Sequence, residues 1–230
     1  MGEHAAPTLH PLGDAALVLV FDERIDPAIN ARVLAAWRAI RALRLPGVRD
    51  VVPAYASITV HIDPGIPSVD ALSARLLDVC STLPPGMDAT RLVEVPVCYD
   101  AAFAPDMDAL CAHAGLAREE VIERHSRPDY RVYFIGFTPG FPYLGGLDPA
   151  LAMPRRETPR TRVEAGSVAI GGTQTGIYPT RSPGGWRIIG RTPLGLFEHG
   201  RDPCCLLAPG DTVRFVPVSA DEFAALSQGG

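Results

Sequence analysis

The sequence predicts an α+β protein in which a small N-terminal α/β sandwich domain precedes a domain of short β-strands. Helical and strand patterns alternate through residues 1–83, and the order β-α-β-β-α suits a small sheet with both helices on one face. Residues 84–86 read Pro-Pro-Gly, which marks a domain boundary. After residue 136, short β-branched stretches alternate with glycine and proline, a pattern typical of a barrel or sandwich. We therefore predict domains over residues 1–85 and 86–230.

Local signals define the elements of the first domain. Asp26 offers a side-chain N-cap and Pro27 suits the first helical position, so an amphipathic helix is predicted to begin there. Ser68 is predicted to cap a second helix, and His61 is placed on the polar, solvated side of its strand. Apolar runs and alternation predict three strands, over residues 15–21, 48–55 and 57–62.

The second domain is predicted to begin with a strand over residues 92–99. Helical spacing then predicts short helices over residues 106–113, ended by Gly115, and over residues 117–125. A last short helix is predicted to begin at Ser219. Between these helices, short apolar runs predict five strands, over residues 131–135, 167–170, 186–189, 204–208 and 212–216.

Composition and charge exclude several classes of function. Of the 230 residues, 47% are hydrophobic, which is enough for a sizeable core. The net charge of −5 gives no reason to expect nucleic-acid binding. No apolar run approaches the roughly 20 residues that span a bilayer. The N-terminus has neither the basic nor the apolar segment of a signal peptide, so we expect a cytoplasmic protein.

Cysteine and histidine spacing predicts no metal site. The five cysteines form no CxxC pair, and an odd number without a framework indicates reduced thiols. The six histidines show no metal-ligand spacing. His125, at the end of a predicted helix, has two interpretations. Either the helix dipole stabilises its protonated form, or it serves as a general acid/base.

All 21 basic residues are arginine, which narrows the possible chemistry. A chain without lysine has no Schiff-base lysine, no Ser–Lys dyad and no P-loop lysine. Residues 153–191 contain seven arginines and two acidic residues in a chain that is acidic overall. Two interpretations remain open for this cluster, an exposed basic face or an arginine-lined cleft for a carboxylate or phosphoryl group.

Two glycine-rich stretches indicate a shaped surface rather than plain core. Residues 165–179 and 182–193 place glycine, proline and hydroxyl residues between short β-branched runs, and glycine permits close approach to the backbone. The Gly171–Gly172 turn does not match a phosphate loop. Upstream, the stretch G-F-T-P-G-F-P-Y-L-G-G-L (residues 136–147) sets Phe137, Phe141 and Tyr143 between glycines and prolines. These rings anchor a loop or line a pocket.

These stretches resemble a known family. The motif at residues 136–147, the run P-R-T-R-V-E-A-G-S-V-A-I-G-G-T-Q-T-G-I-Y-P, and S-P-G-G-W-R-I-I-G-R-T-P are similar to the B subunit of prokaryotic 5-oxoprolinase. The same family includes proteins called allophanate hydrolase subunit 1 and a sporulation histidine-kinase inhibitor. The resemblance covers about residues 9–223 and implies a C-terminal cyclophilin-like β-barrel.

The resemblance also implies an activity, partners and a co-substrate. Such B subunits act with the C and A subunits of 5-oxoprolinase to open 5-oxo-L-proline to L-glutamate with hydrolysis of ATP, which this chain itself need not bind. Two alternatives remain open: a protein-binding module that inhibits a histidine kinase, and a component of a urea- or allophanate-related amide hydrolase. The absence of lysine argues against allophanate hydrolysis by this chain alone, because the amidase triad contains a lysine.

We assign candidate roles on the basis of this implied chemistry. Opening a cyclic amide requires donors for an oxyanion and a clamp for the substrate carboxylate. Arg155 and Arg187 are assigned to anion contacts, and His125 to acid/base chemistry. Gln174, Thr175 and the backbone of Gly171 and Gly172 are assigned as carbonyl donors. The predicted pocket walls are Phe141, Tyr143 and Trp186.

Overall fold

A computed structural model describes residues 6–83 and 91–228 of the chain. The chain divides into two compact units, Met1–Ala89 and Thr90–Gly230. The boundary predicted at residues 84–86 lies outside the described residues. Within the described part, no helix is both long and apolar enough to cross a membrane.

The first unit packs two helices on a four-stranded antiparallel sheet. Its strands are β1 (Thr8–Pro11), β2 (Ala16–Val20), β3 (Val48–Pro53) and β4 (Ser57–Ile62), and its helices are α1 (Pro27–Leu43) and α2 (Val69–Ser81). The strand order is β1-β2-β4-β3. The core contains Leu19 and Val60 from the sheet, Val33 from α1 and Leu76 from α2, each without solvent exposure. The predicted helices and the three predicted strands are confirmed, whereas β1 was not predicted.

Capping begins both helices of this unit where the sequence predicts. The Asp26 carboxylate accepts hydrogen bonds from the backbone N–H groups of Ala28 (2.7 Å) and Ile29 (3.2 Å). Ser68 accepts from the N–H of Ala71 at 3.1 Å. Each cap satisfies N–H groups that have no partner within the helix, so the helix starts are set locally.

The second unit is a closed barrel with helices packed against it. Its strands are β5 (Leu92–Cys98), β6 (Asp129–Ile135), β7 (Pro142–Gly145), β8 (Arg160–Val163), β9 (Ser167–Gly171), β10 (Gln174–Ile177), β11 (Ser182–Gly184), β12 (Arg187–Arg191) and β13 (Thr212–Val218). Its helices are α3 (Met107–Ala114), α4 (Arg118–Ser126) and α5 (Ala220–Gln228), with a 3-10 turn at Pro149–Leu151. The barrel order is β10-β7-β6-β13-β5-β12-β9, and β8 pairs with β11 separately.

Closure of the sheet decides between the two predicted architectures in favour of the barrel. Seven strands close, with β5 and β13 parallel and the other neighbours antiparallel. Closure pairs all the strand edges within the barrel, which an open sandwich does not do. Helix α3 packs against β12 and α4 against β13. The α+β prediction is thus confirmed.

One predicted strand of the barrel is wrong. Residues 204–208 form no strand, and Cys205 makes only an isolated bridge with Phe197. A strand needs a neighbour along its length, and this loop finds one for a single residue pair. The Sγ atoms of Cys204 and Cys205 lie 3.9 Å apart instead of on opposite faces of a strand.

Candidate functional site

A pocket of about 440 Å³ opens beside strands β7 and β11. This volume lies within the range of small-molecule pockets. Four residues assigned from the sequence meet there: Phe141, Tyr143, Arg155 and Trp186. The remaining lining residues are Phe137, Arg156, Pro159, Tyr178, Pro183, Gly184 and Gly185.

The pocket walls are aromatic rings in edge-to-face contact. The Phe141 ring is central: its centroid lies 5.1 Å from that of Tyr143, 5.3 Å from Tyr178 and 5.4 Å from Trp186. The Phe141 and Trp186 rings are perpendicular, at an interplanar angle of 90°. Edge-to-face pairs at these distances stabilise each other, so the wall is preorganised.

Glycine lies beneath these rings and explains much of the glycine-rich sequence. A Cβ atom on Gly171 would lie 2.5 Å from the Trp186 ring. One on Gly176 would lie 3.0 Å from Phe141 and 3.1 Å from Trp186. These glycines therefore allow aromatic side chains of the same chain to pack directly against the backbone.

Arg155 supplies a positive charge at the pocket. Its guanidinium carbon lies 5.5 Å from the centroid of the Trp186 ring, a cation–π distance. No carboxylate among residues 6–83 and 91–228 forms an ion pair with it. The side chain is exposed, so its charge is available to an anionic ligand.

Arg156, also in the lining, is held by the buried carboxylate of Asp106. The Asp106 side chain, 4% exposed, receives Arg156 at 3.3 Å and Arg160 at 2.8 and 2.9 Å. It also accepts the N–H of Ile188 at 2.7 Å. Burial by itself raises the pKa of Asp106, but the hydrogen bonds from Arg160 and Ile188 outweigh it and hold the pKa below its usual value. Asp106 therefore remains charged and ties the pocket's arginine segment to β12.

Most arginines of the basic cluster at residues 153–191 have partners within the fold. This bears on whether the cluster is an exposed basic face or an arginine-lined cleft. Arg162 pairs with Glu164, Arg191 donates to the Ala165 carbonyl at 2.8 Å, and Arg156 and Arg160 bind Asp106. Among the arginines that the structure describes, only Arg155 and Arg156 line the pocket. The site is therefore an aromatic pocket, not an arginine-lined cleft. Of its two described arginines, Arg156 is paired with Asp106 and Arg155 has no ion-pair partner among the described residues.

Arg187, assigned to an anion contact, lies outside this lining. Its Nε donates to the Pro154 carbonyl at 3.2 Å, which secures the chain next to Arg155. The geometry gives Arg187 a supporting contact with the segment that carries the pocket arginine, instead of a position within the pocket.

The structure places His125 in the barrel core rather than in the pocket. The side chain has no solvent exposure and stacks on Phe215 with a centroid distance of 4.6 Å. Burial lowers its pKa from 6.5 to about 3, so the imidazole is neutral at physiological pH. Neither interpretation of His125 from the sequence survives, because the ring is not protonated and does not reach solvent.

A directed chain of hydrogen bonds fixes the tautomer of His125. The Thr175 hydroxyl donates its one proton to the Ala169 carbonyl at 3.1 Å, so it accepts from Nε2–H of His125 at 2.9 Å. Nδ1 of His125 then accepts from the Tyr99 hydroxyl at 2.8 Å. Thr175 is fully buried in this chain and has no proton for a substrate carbonyl, which corrects its assigned role.

The other assigned carbonyl donors also lie outside the pocket lining. The N–H of Gly172 donates to the Met153 carbonyl at 2.8 Å, so it serves an isolated bridge. Gly171 supports Trp186, as above, and Gln174 pairs with Gly171 at the β9–β10 turn. At this turn the backbone pairs β9 with β10 and bonds Gly172 to Met153.

The described lining of the pocket offers no side chain suited to transfer a proton near neutral pH. Desolvation raises the pKa of both lining tyrosines, Tyr143 and Tyr178, so they stay neutral. The lining residues that the structure describes include neither carboxylate nor histidine. Across residues 6–83 and 91–228, no group of three or more histidine, cysteine or acidic side chains is placed to hold a metal ion. The pocket is built to bind and orient.

Asp106 and several lining residues, Tyr178 among them, received no role from the sequence interpretation. Asp106 was read only as a helix start, and its arginine partners lie 50 and 54 residues further along the chain, so no local pattern reveals them. Tyr178 stood within the quoted family motif, and its position between glycine-containing strands was the available signal.

Comparison with known proteins agrees with this architecture. Residues 7–207 match the family described as carboxyltransferase domain, subdomain C and D. The chain is 38% identical to the B subunit of 5-oxoprolinase from Bacillus subtilis (strain 168), covering 96% of both chains. It is 44% identical to the protein of the same name from Escherichia coli O157:H7, covering 90% of this chain and 94% of that one. The chain belongs to the 5-oxoprolinase B-subunit family.

Solved structures extend the family likeness to the fold. The crystal structure of TTHA0988 is 40% identical with a TM-score of 0.79, over 89% of this chain and 40% of that one. The chain therefore spans about 40% of the length of that protein. The Kluyveromyces lactis urea carboxylase, at 21% identity and a TM-score of 0.79 over 99% of this chain and 23% of that one, shares the fold.

Proposed function

We propose that this chain is the B subunit of an ATP-dependent complex that hydrolyses 5-oxo-L-proline to L-glutamate in the cytoplasm. The observation that carries the proposal is the pocket, in a chain of the 5-oxoprolinase B-subunit family. Its aromatic walls and the uncommitted cation Arg155 suit a small cyclic amide that bears one carboxylate.

The pocket residues act by binding and orientation. Arg155 pairs with the substrate carboxylate, and the Tyr143 and Trp186 rings contact the faces of the lactam ring. This arrangement fixes the ring amide relative to the groups that attack it, and correct orientation lowers the barrier without a proton transfer. Hydrolysis breaks the ring C–N bond, water supplies the new carboxylate oxygen, and the nitrogen becomes the amine of glutamate.

The Gly171–Gly172 turn does not fit the phosphates of ATP. Phosphate cradles use a run of unpaired backbone N–H groups and usually a lysine. The chain has no lysine, and the N–H of Gly172 is bonded to Met153. We therefore place ATP binding and the activation of the amide on a partner, with the A and C subunits completing the site.

The test is an activity assay on the complex co-expressed from the A, B and C subunits. ATP-dependent release of glutamate from 5-oxo-L-proline is measured with and without this chain. Arg155→Ala and Trp186→Ala are then compared with Arg181→Ala, an exposed arginine outside the pocket. We expect loss of turnover without the chain, and at least a tenfold rise in KM for Arg155→Ala, since a charge-assisted contact contributes about 1.4 kcal/mol or more. Trp186→Ala removes an aromatic wall of the pocket and is also expected to raise KM, whereas Arg181→Ala should not.

Two outcomes would contradict the proposal. Full activity without this chain would favour a protein-binding module, checked through autophosphorylation of a histidine kinase. A complete complex that leaves 5-oxo-L-proline intact but hydrolyses urea or allophanate would favour the related amide hydrolases instead.

A further inference from the structure

Two non-glycine residues in the described part of the chain have a positive backbone φ, Arg44 and Phe137. Side chains make this region costly, so each case calls for a cause. Arg44, at φ 44°, ends α1 in the left-handed conformation, and its N–H donates to the Arg41 carbonyl at 3.3 Å. Helices commonly end in this way, so the fold itself accounts for Arg44.

Phe137 does not end a helix; it lies in the loop that joins β6 to β7. The N–H of Thr138 donates to the Gly136 carbonyl at 2.8 Å, which closes a three-residue turn around Phe137 at φ 66°. A γ-turn with positive φ is rare and strained, above all with a bulky central residue. The Thr138 hydroxyl oxygen beside it is buried and has no hydrogen-bond partner among the residues that the structure describes. The loop is thus not optimised for its own stability.

The strained turn also exposes an apolar ring at the pocket. Phe137 is 65% exposed, more than any other large hydrophobic residue in the described part of the chain. Its ring lines the pocket and meets Phe141 edge-on with a centroid distance of 5.6 Å. Folding therefore gains little from this side chain, although holding it there is costly.

We propose that Phe137 is a ligand-contacting residue, held by its turn so that the phenyl ring covers the apolar part of a small-ring anion bound at Arg155. This inference rests on the proposed function of the pocket and adds a residue to it. Binding would bury the exposed ring against the ligand, which recovers apolar area that the folded chain leaves in water. The ring would also restrict water access to the Arg155 contact, and low water content strengthens an ion pair.

The test separates stability from binding. Phe137→Gly removes the ring and relieves the backbone strain, so we expect an unchanged or higher Tm of the full chain, together with an approximately tenfold higher KM of the complex for 5-oxo-L-proline. Phe137→Leu retains an apolar side chain and is expected to restore part of the affinity. Arg44→Gly is the matched control: it also relieves a positive φ, and we expect an unchanged KM.

Direct binding is measured as well. In a full chain carrying Trp37→Phe, Trp186 is the only indole, and its emission reports 5-oxo-L-proline in the pocket. A lower Tm for Phe137→Gly with unchanged KM and binding would make Phe137 structural and overturn the inference. If Trp186→Ala and Arg155→Ala raise KM but Phe137→Gly does not, only this inference fails. If none of the three changes KM, and neither Arg155→Ala nor Phe137→Gly changes binding, the proposed function of the pocket fails with it.

Discussion

The first unit packs aliphatic side chains of two helices onto a four-stranded sheet, whereas the second seats aromatic rings on glycine in a barrel wall. Val33 and Leu76 represent the first arrangement, since each side chain fills the space between elements. Trp186 over Gly171 represents the second, because the indole occupies the space that a side chain at position 171 would need. The first core is of the kind that accepts volume-conserving aliphatic exchanges through side-chain adjustment. In the second, the backbone and the ring fit one another directly.

The difference determines what a sequence can reveal. The first core follows helical and strand periodicity, so each element carries its own signal. The second depends on complementarity between residues that are distant along the chain, such as Trp186 with Gly171 and Gly176. Glycine content indicated that something approaches the backbone, but it did not say what. Because one tryptophan lies in each unit, Trp37 and Trp186 report on the two arrangements separately.

The largest effect is expected from a cavity in the first core. Leu76→Ala removes a fully buried side chain of α2, and we expect a loss of about 3 kcal/mol in the free energy of unfolding. Urea denaturation followed by Trp37 emission measures it, with Trp186 replaced by phenylalanine. Leu12→Ala, at an exposed position of the first unit, is the control and should change stability by less than about 0.5 kcal/mol. A comparably small effect of Leu76→Ala would contradict the description of this core.

The barrel wall is tested by adding one methyl group rather than removing several. Gly171→Ala places a Cβ atom 2.5 Å from the Trp186 ring, so the ring must move or the strand must shift. We expect a destabilisation of about 2 kcal/mol, as for other overpacked sites. A shift in Trp186 emission in the Trp37→Phe background should accompany it. Gly195→Ala, in the same unit, where the added atom meets nothing within 4 Å, should leave stability nearly unchanged. Equal effects of the two alanines would show that Gly171 does not seat the indole.

Two aspartates show which contacts the local sequence can predict and which it cannot. Asp26 and Asp106 both precede a helix, and the sequence placed a helix start at each. The side chain of Asp26 caps α1, but that of Asp106 makes no cap bond and holds Arg156 and Arg160 instead. Capping is a contact within three residues and can be read from the sequence. The Asp106 contacts depend on the closed barrel.

The same limit explains the missed strands and misplaced site residues. Strands β7 and β10 have only four residues each and contain glycine, so neither shows a clear alternation. The helical spacing of residues 117–125 placed His125 at a helix end, which the structure confirms for the backbone. It gave no sign that β13 and β10 cover the ring with Phe215 and Thr175.

Acid should destabilise the second unit more than the first, because the buried histidine of the described chain belongs to the barrel. Burial lowers the pKa of His125 from 6.5 to about 3, so below pH 6.5 the unfolded state binds a proton that the folded state refuses. Stability of the second unit is thus full above about pH 6.5 and falls by about 1.4 kcal/mol per pH unit towards pH 3.

The measurement for His125 is urea denaturation at pH 7, 6 and 5, followed by Trp186 emission in the Trp37→Phe background. His125→Gln retains one donor and one acceptor for Thr175 and Tyr99, and it should flatten the profile between pH 6 and pH 5. His199→Asn, at an exposed position of the second unit, should keep the wild-type slope. A wild-type slope in His125→Gln would assign the acid sensitivity to another group.

The smallest expected effect returns to the local signal that the sequence shows best. Asp26→Ala removes the acceptor for two N–H groups at the start of α1, and we expect a loss of about 1 kcal/mol, measured through Trp37 emission. Asp26→Asn should recover most of it, because the amide oxygen caps as well as the carboxylate does. Asp106→Asn should not be tolerated in the same way, since two arginines then lose their counter-charge. The same exchange at two helix starts would thus distinguish a cap from a contact that only the folded barrel creates.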